Sequence, residues 1–465
     1  MTTSPPLREE CDVVVVGCRV AGSSTAIEFA RLGNEVIAID ATTFPSDTLS
    51  THLIFPGCVA QIKALGALDK LLATGTPTMN HAIVNHGGED AHGTYSPVDG
   101  IDYAMCPRRT TLDSVLVDEA RQRGVDVREA TKAEHLIWDA GRVVGIGWSD
   151  RQGRTGQIRA KLVVGADGRR STISSLLGVA KPYREAENGR GLVFMYVDDP
   201  REGDARSIVY QWRVGTSLAM YFPTDDNCGL VLLMGPKDEV DSFGQDLSQW
   251  KRALTSFPAL VERIGDGEPR SRLRKASDTR SYFRRSSGPG WALVGDAAQF
   301  KDPVIAQGIY DAIVHARRLA TVAAEVLDSP LDLDHALHGW ELDRDRDCLS
   351  AYYWGLRFTD TTPITPLEVE AFKSVASDRK ITREWMDVYS RRHGVEQFMT
   401  YRRQLTWLGR ALSGGADSRQ TFRQASQMMI TDFDRHRDRA RLRLGRRIRP
   451  TPSDPWIGAA DGSLT

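Results

Sequence analysis

Asp12-Val13-Val14-Val15-Val16 runs without a break into Gly17-Cys18-Arg19-Val20-Ala21-Gly22. A continuous β-branched run reads as a parallel strand covered on both faces, so the fold must supply a layer on each side of it. Small and apolar residues from Ala21 to Leu32 predict a helix pressed onto that sheet, and Gly33-Asn34 stops it. Glu35–Asp40 is the next strand, which completes a βαβ unit. In a phosphate-binding βαβ turn, one glycine makes the turn and a second admits the pyrophosphate to the backbone. A third lets the helix approach the strand, and the helix N-terminus supplies partial positive charge. Gly17 and Gly22 take the first and third places, and Arg19 stands at the second. The alternative is a βαβ unit that binds no nucleotide. Asp40, 23 residues after Gly17, favours the nucleotide reading, because a carboxylate there accepts ribose hydroxyls. The expected cradle is therefore Gly17, Arg19, Val20, Ala21 and Gly22 with Asp40, and the Arg19 cation is expected alongside the pyrophosphate.

With 465 residues the chain is long enough for two or three domains, and a net charge of −1 implies no general attraction to nucleic acid or membrane. The polar start, Met1 to Glu10, has no apolar signal region, and no run reaches membrane-spanning length. Six cysteines lie scattered without CxxC spacing, which argues against a metal site or a disulfide framework and fits a cytoplasmic protein.

Residues 47–72 read as loop and then helix, and residues 81–106 as short antiparallel segments. Leu112–Arg123 has helical spacing, and Val125–Arg128 resumes a strand. Arg142–Ser149 and Gln157–Val164 flank the turn Asp150-Arg151-Gln152-Gly153, predicting a β-meander. Residues 190–235 are strand-rich and predict a second sheet. From about 330 the pattern is helical, with breaks at Thr362-Pro363 and Ser413-Gly414-Gly415. Eight arginines between Arg435 and Arg449, interspersed with acidic residues, read either as an anion-binding site or as a solvated terminal helix.

Two later segments repeat the strand-to-turn pattern. Lys161-Leu162-Val163-Val164-Gly165-Ala166-Asp167-Gly168 ends in Asp-Gly before a helix start at Ser171, and Trp291-Ala292-Leu293-Val294-Gly295-Asp296-Ala297-Ala298 ends in Gly-Asp. Three such motifs in this order resemble the class A FAD-dependent monooxygenases, the para-hydroxybenzoate hydroxylase-like aromatic hydroxylases, over roughly residues 10 to 330. The resemblance implies an α/β fold: a Rossmann-like FAD-binding domain (glutathione reductase-type) with an inserted mixed β-sheet substrate domain and a C-terminal helical region. The implied division gives 10–80, 100–180 and 281–330 to the FAD-binding domain and 81–99 with 181–280 to the substrate domain. Residues 331–450 form the helical region, and 1–9 and 451–465 are flexible termini.

By the same resemblance, the cofactor is FAD, with NADPH or NADH as a transient electron donor. Asp167 belongs to a motif associated with both cofactors, and Asp296 would hold the ribityl chain. Pro303, Gln307 and Gly308 would lie by the isoalloxazine ring, before a helix beginning near Ile309. Arg109 matches an arginine that contacts the cofactor, with Arg108 as its near rival. Gln299, Ala306 and Ser174 depart from the family pattern, where histidine, glycine and arginine are frequent.

The implied activity is hydroxylation of a small aromatic or polycyclic metabolite with dioxygen, through a C4a-hydroperoxyflavin. His52, in Leu49-Ser50-Thr51-His52, is the candidate catalytic base, with an ordinary pKa suited to proton transfer near neutrality. Tyr210, Trp212, Tyr221 and Phe222 either line an aromatic pocket or form core. Competing readings are a geranylgeranyl reductase-like flavoprotein, a flavin-dependent halogenase, and a non-catalytic flavin-binding partner protein. Against the halogenase, Gln211-Trp212-Arg213-Val214 does not reproduce that family's Trp-x-Trp-x-Ile-Pro segment. The helical region is expected to cover the substrate side or to form the interface of a homodimer.

Overall fold

A computed structural model describes residues 7–50 and 52–450. Its first sheet runs in the order Ser287–Gly288, Trp291–Leu293, Thr155–Gly165, Leu7–Val16, Val36–Ile39, Asp126–Arg128. The last five of these strands pair in parallel. Arg142–Asp150 joins Thr155–Gly165 and Thr131–Asp139 in the expected meander. The first strand begins at Leu7, because Leu7–Cys11 pairs with Gly156–Ala160, so residues 7–9 are sheet and not a flexible terminus. The expectation of flexibility over 1–6 and 451–465 lies outside the described residues.

Both faces of this sheet are covered, as the valine run requires. Val13, Val15, Leu162 and Val164 pack under the helices Val20–Arg31, Arg109–Gln122 and Gly308–Ala323. Val14, Val16 and Val163 pack against Leu136, Ile146 and Trp148 of the meander. Val16 pairs with Ile39 and with Gly165, and Gly165 pairs with Leu293. The three motif strands therefore end level with one another, and their turns open at one carboxyl edge of the sheet, where α/β folds bind ligands.

The second sheet has seven strands, in the order Arg274–Ala276, Arg190–Asp198, Cys228–Pro236, Ser217–Thr224, Ile208–Val214, His81–His86, Glu89–Thr94. It is mixed, since Ile208–Val214 runs parallel to His81–His86. One face packs on three short helices that sequence reading did not anticipate, Lys237–Phe243, Leu247–Leu254 and Pro258–Ile264. The other face meets the C-terminal helices, which begin with Pro330–Phe358.

Those helices stop and start where the sequence indicates. Thr365 and Glu368 form a reciprocal capping box after the Thr362-Pro363 break. Tyr401–Ser413 ends before Gly415, whose φ is +80°. The arginine-rich tail is largely absorbed by the protein. Arg447 is held on both oxygens of the buried Glu341, Arg449 on Asp434 and Asp438, and Arg435 and Arg439 on Glu396. The six cysteines are buried and free. Among the described residues, no helix is long and apolar enough to cross a membrane.

Candidate functional site

The glycines of the first turn are required by contact distances. Gly17 has φ +99°, and a Cβ there would lie 2.6 Å from the Ala166 carbonyl oxygen. A Cβ on Gly22 would lie 1.6 Å from the Gly17 oxygen. Asp40 fixes the turn from below: its carboxylate accepts the Cys18 N–H at 2.7 Å and both the N–H and the hydroxyl of Thr42. Arg19 caps the helix Val20–Arg31 in extended conformation, and its side chain swings off the turn. The guanidinium donates to Asp113 at 2.6 Å, to the Ser46 carbonyl at 3.0 Å and to the Ser46 hydroxyl at 2.9 Å. Arg109 grips the same buried Asp113 through Nε and Nη2. Two guanidiniums sharing one carboxylate leave a net positive charge beside the helix N-terminus. Arg108 turns instead to Asp225 and Asp226 of the second sheet.

The Gly-Asp motif closes on this turn. Gly295 has φ +57°, and a Cβ there would meet the Ala21 Cβ at 2.7 Å. The Asp296 carboxyl is half-buried. Burial raises its pKa, opposed by Arg169, Arg109 and Lys301. Asp167 accepts the Ile173 N–H at 3.1 Å through one oxygen, while its other oxygen is buried without a partner. Ser171 caps the following helix by accepting the Ser174 N–H at 2.8 Å.

The segment before Gly308–Ala323 is a tight turn. Ala306 has φ +49°, the left-handed conformation that explains why relatives favour glycine there. Gln307 donates to the carbonyls of Ile305 and Tyr389, and its own carbonyl oxygen is buried and partnerless. Gln299, at the frequent histidine position, accepts from the buried Lys301 at 3.0 Å. Lys301 and Arg391 both pair with Asp311. Burial alone would raise the Asp311 carboxyl, but these two cations pull it down to about 2. Asp311 also groups with His315 and Cys348, yet a further cation there would face Lys301 and Arg391.

His52 is fully buried and left-handed, with φ +62°. Its Nε2 bonds to the Tyr196 hydroxyl, and its Nδ1 has no partner. Its ring stacks on Tyr196 at 5.8 Å and meets the edge of Phe194 at 5.7 Å. The ordinary pKa expected from sequence does not survive this setting. Burial, then the nearby Arg109, pushes it down to about 3, so the imidazole stays neutral.

Around His52 the second sheet offers Phe194, Tyr196 and Phe222, and the C-terminal helices close over them with Trp354 and Trp385. Phe55 and Tyr389 approach to 5.0 Å, and Tyr389 and Trp354 to 4.9 Å. Ile305 joins this aromatic cluster from the turn before Gly308. Of the four aromatics singled out in the sequence, only Phe222 faces it. Tyr210, Trp212 and Tyr221 lie on the opposite face among Trp250, Leu254 and Leu260, because side chains alternate along a strand. Tyr196, Trp354, Trp385 and Tyr389 were not anticipated. The strand Arg190–Asp198 is apolar on both faces, so no alternation marks its inner side.

The fold and this edge define a flavoprotein site. Gly17 and Gly22 let strand, turn and helix pack closer than any side chain would allow, and Asp167, Gln307 and His52 each keep a buried polar side-chain atom without a partner. A dinucleotide with a long polar linker and a flat ring fits that set. The sequence model of the FAD binding domain family matches residues 10–334, and the chain belongs to that family. It is a flavin-dependent oxidoreductase.

Two similar proteins are the menaquinone reductase of Mycolicibacterium smegmatis and the tryptophan 2-halogenase of Chondromyces crocatus. The first is 29% identical over 340 residues, covering 70% of this chain and 78% of the reductase. The second is 25% identical over 335 residues, covering 70% of this chain; the match spans 63% of the halogenase, less than two thirds of its length. Among solved structures, a flavoprotein/dehydrogenase from Cytophaga hutchinsonii superposes with TM-score 0.67 at 19% identity, covering 82% of this chain and 93% of that one. PqsL of Pseudomonas aeruginosa, described as a probable FAD-dependent monooxygenase, superposes with TM-score 0.62 at 19% identity, covering 81% and 99%. At these identities the structural likeness establishes the fold.

Proposed function

We propose that the protein is an FAD-dependent monooxygenase that uses NADPH or NADH and dioxygen to hydroxylate an apolar aromatic or polycyclic molecule. The observation that carries this reading is the cluster of buried aromatic side chains beside the turn Pro303–Gln307, with one neutral imidazole against it. FAD, when bound, supplies two-electron reduction and the activation of dioxygen; the part proposed for the aromatic cluster is to exclude water and hold the substrate carbon in place. In this reading residues 10–80, 100–180 and 281–330 bind FAD, and residues 81–99 and 181–280 form the substrate domain. Arg19, Val20, Ala21, Gly22 and Arg109 serve the pyrophosphate, Asp40 the ribose, Asp167 and Asp296 the linker, and Pro303, Gln307 and Gly308 the ring.

His52 accepts or relays a proton at Nδ1 while Tyr196 holds Nε2. His52→Ala is expected to keep FAD and lower coupled turnover by about 100-fold, and Tyr196→Phe by about tenfold. Because the imidazole is neutral down to about pH 3, the wild-type rate is expected to show no inflection near 6.5 from this residue. Unchanged turnover in His52→Ala removes it from the mechanism. Arg19→Ala releases Asp113 and the Ser46–Asp47 loop. It is expected to weaken FAD by about tenfold, the scale of one hydrogen bond to a charged group. Unchanged affinity by titration would show that the turn tolerates Arg19 without using it.

A second reading, alkene reduction without oxygen insertion, is favoured by the menaquinone reductase relative. Anaerobic reduction with NADH and NADPH across a panel of phenols, polyketides and quinones tests the donor and the substrate class. A substrate-dependent rise in reduction rate with an aromatic acceptor supports hydroxylation. A rise confined to quinones or polyprenyl chains supports the reductase.

A further inference from the structure

The helix Ser418–Arg443 is packed on one side only. Met428, Arg435, Asp438 and Leu442 are buried on that side, with Tyr353 donating to Asp438 at 2.7 Å. The other side carries Phe422, Met429, Ile430 and Phe433 at 54% to 64% exposure, and Leu444 just past the helix end at 72%. The 3.6-residue period sets Phe422, Met429, Phe433 and Leu444 in one stripe, with Ile430 at its edge. Arg419, Arg423 and Arg437 lie along the margin of the stripe that also carries Ile430, and none of the three forms an ion pair among the described residues. No fully exposed side chain of this helix is a carboxylate. The bordering Asp432 and Asp434 are taken by Arg435 and Arg449.

We infer that this face docks the protein on an anionic lipid surface. A helix with large apolar side chains along its exposed centre and arginines along one margin sinks its apolar groups into the headgroup boundary while the guanidiniums reach lipid phosphates. A second copy of the chain is a poor occupant. A two-fold contact would set each copy's unpaired arginines against the other's with no carboxylate between them. The near-neutral total charge conceals this patch, because the compensating acids lie elsewhere on the molecule. The position also has a use. Ser418–Arg443 packs on Pro330–Phe358, whose Trp354 belongs to the aromatic cluster, so the helix that rests on the bilayer backs directly onto a helix that covers the site. An apolar substrate held in a membrane would then enter without crossing water. That use rests on the proposed reading of the aromatic cluster, whereas docking itself is measured without substrate.

The test is flotation of the full flavin-loaded chain with vesicles of phosphatidylcholine containing about 30 mol% phosphatidylglycerol, against phosphatidylcholine alone. The protein is expected to float with the anionic vesicles and to be released by high salt. Arg419→Gln/Arg423→Gln/Arg437→Gln is expected to bind roughly 100-fold more weakly at low ionic strength. Phe422→Ser/Phe433→Ser is expected to lose at least about tenfold, with flavin content and turnover of a water-soluble substrate unchanged. No flotation, or flotation indifferent to both variants, would overturn the proposal. A lipid-free dimer that Phe422→Ser/Phe433→Ser dissociates would assign the face to a second copy instead. Binding of soluble polyglutamate as tight as that of vesicles, and unaffected by the serine variant, would assign it to an acidic protein. Failure of the vesicle assay leaves the hydroxylase reading standing, and failure of hydroxylation leaves the vesicle result standing.

Discussion

A protein carrying Gly22→Ala is expected to purify with little FAD and to melt below the wild type. The added Cβ would sit 1.6 Å from the Gly17 carbonyl oxygen, 2.7 Å from the Gly17 carbonyl carbon and 3.2 Å from the Ala166 Cβ. None of these atoms can yield separately. Gly17 is itself wedged against Ala166, and the strand ending at Val16 is paired on both sides. The helix Val20–Arg31 must therefore lift, which separates Val20 and Ile27 from the core beneath them. Overpacking of this kind costs about 3 kcal/mol. In a chain of this size that is a fall of roughly 3 °C in Tm. Lifting the helix also withdraws its N-terminal N–H groups from the place where a pyrophosphate would bind. Thermal melting and the flavin absorbance per protein check both effects. A Gly22→Ala protein with full flavin would show that the helix does not need this contact.

Asp296→Asn is expected to separate binding from stability. If the carboxylate holds a cofactor hydroxyl, its loss weakens FAD by about 10- to 100-fold. Without FAD the same residue burdens the fold. Burial holds the Asp296 pKa above its ordinary value, so its contribution to stability is present below the unfolded carboxyl's pKa and lost as pH rises through the folded one. The apo variant is therefore expected to melt no lower than wild type at neutral pH and like wild type in acid. Because Arg169, Arg109 and Lys301 offset part of the burial cost, the gain is small. A variant that loses stability at neutral pH together with FAD would mark Asp296 as structural.

The first sheet was readable because its central strands are apolar runs that lead straight into a Gly or Asp, as at Val16-Gly17, Ile39-Asp40 and Val164-Gly165. Once Val16, Gly165 and Leu293 are read as strand ends, the fold brings their turns together. The aromatic cluster was not readable for two physical reasons. Strands such as Arg190–Asp198 and Cys228–Pro236 are buried on both faces, so their apolar pattern does not say which face meets the site. The roof also comes from Trp354, Trp385 and Tyr389, separated in sequence from His52 by hundreds of residues and joined to it only by packing. The state of His52 was hidden for the same reason, since it follows from burial and from Arg109 and Arg274 on other segments. Arg19, which looked like a flaw in the glycine pattern, is a tether: it binds the turn to Asp113 and to the loop leading to His52.

The central proposal, that the protein inserts oxygen into an apolar substrate, is tested most directly by mass spectrometry of the product formed under isotopically labelled dioxygen. The account expects a product heavier than its substrate by one labelled oxygen atom, formed only with NADPH or NADH and only in the presence of dioxygen. A product formed equally well without dioxygen, heavier by two hydrogens and free of the label, would contradict it and identify a reductase.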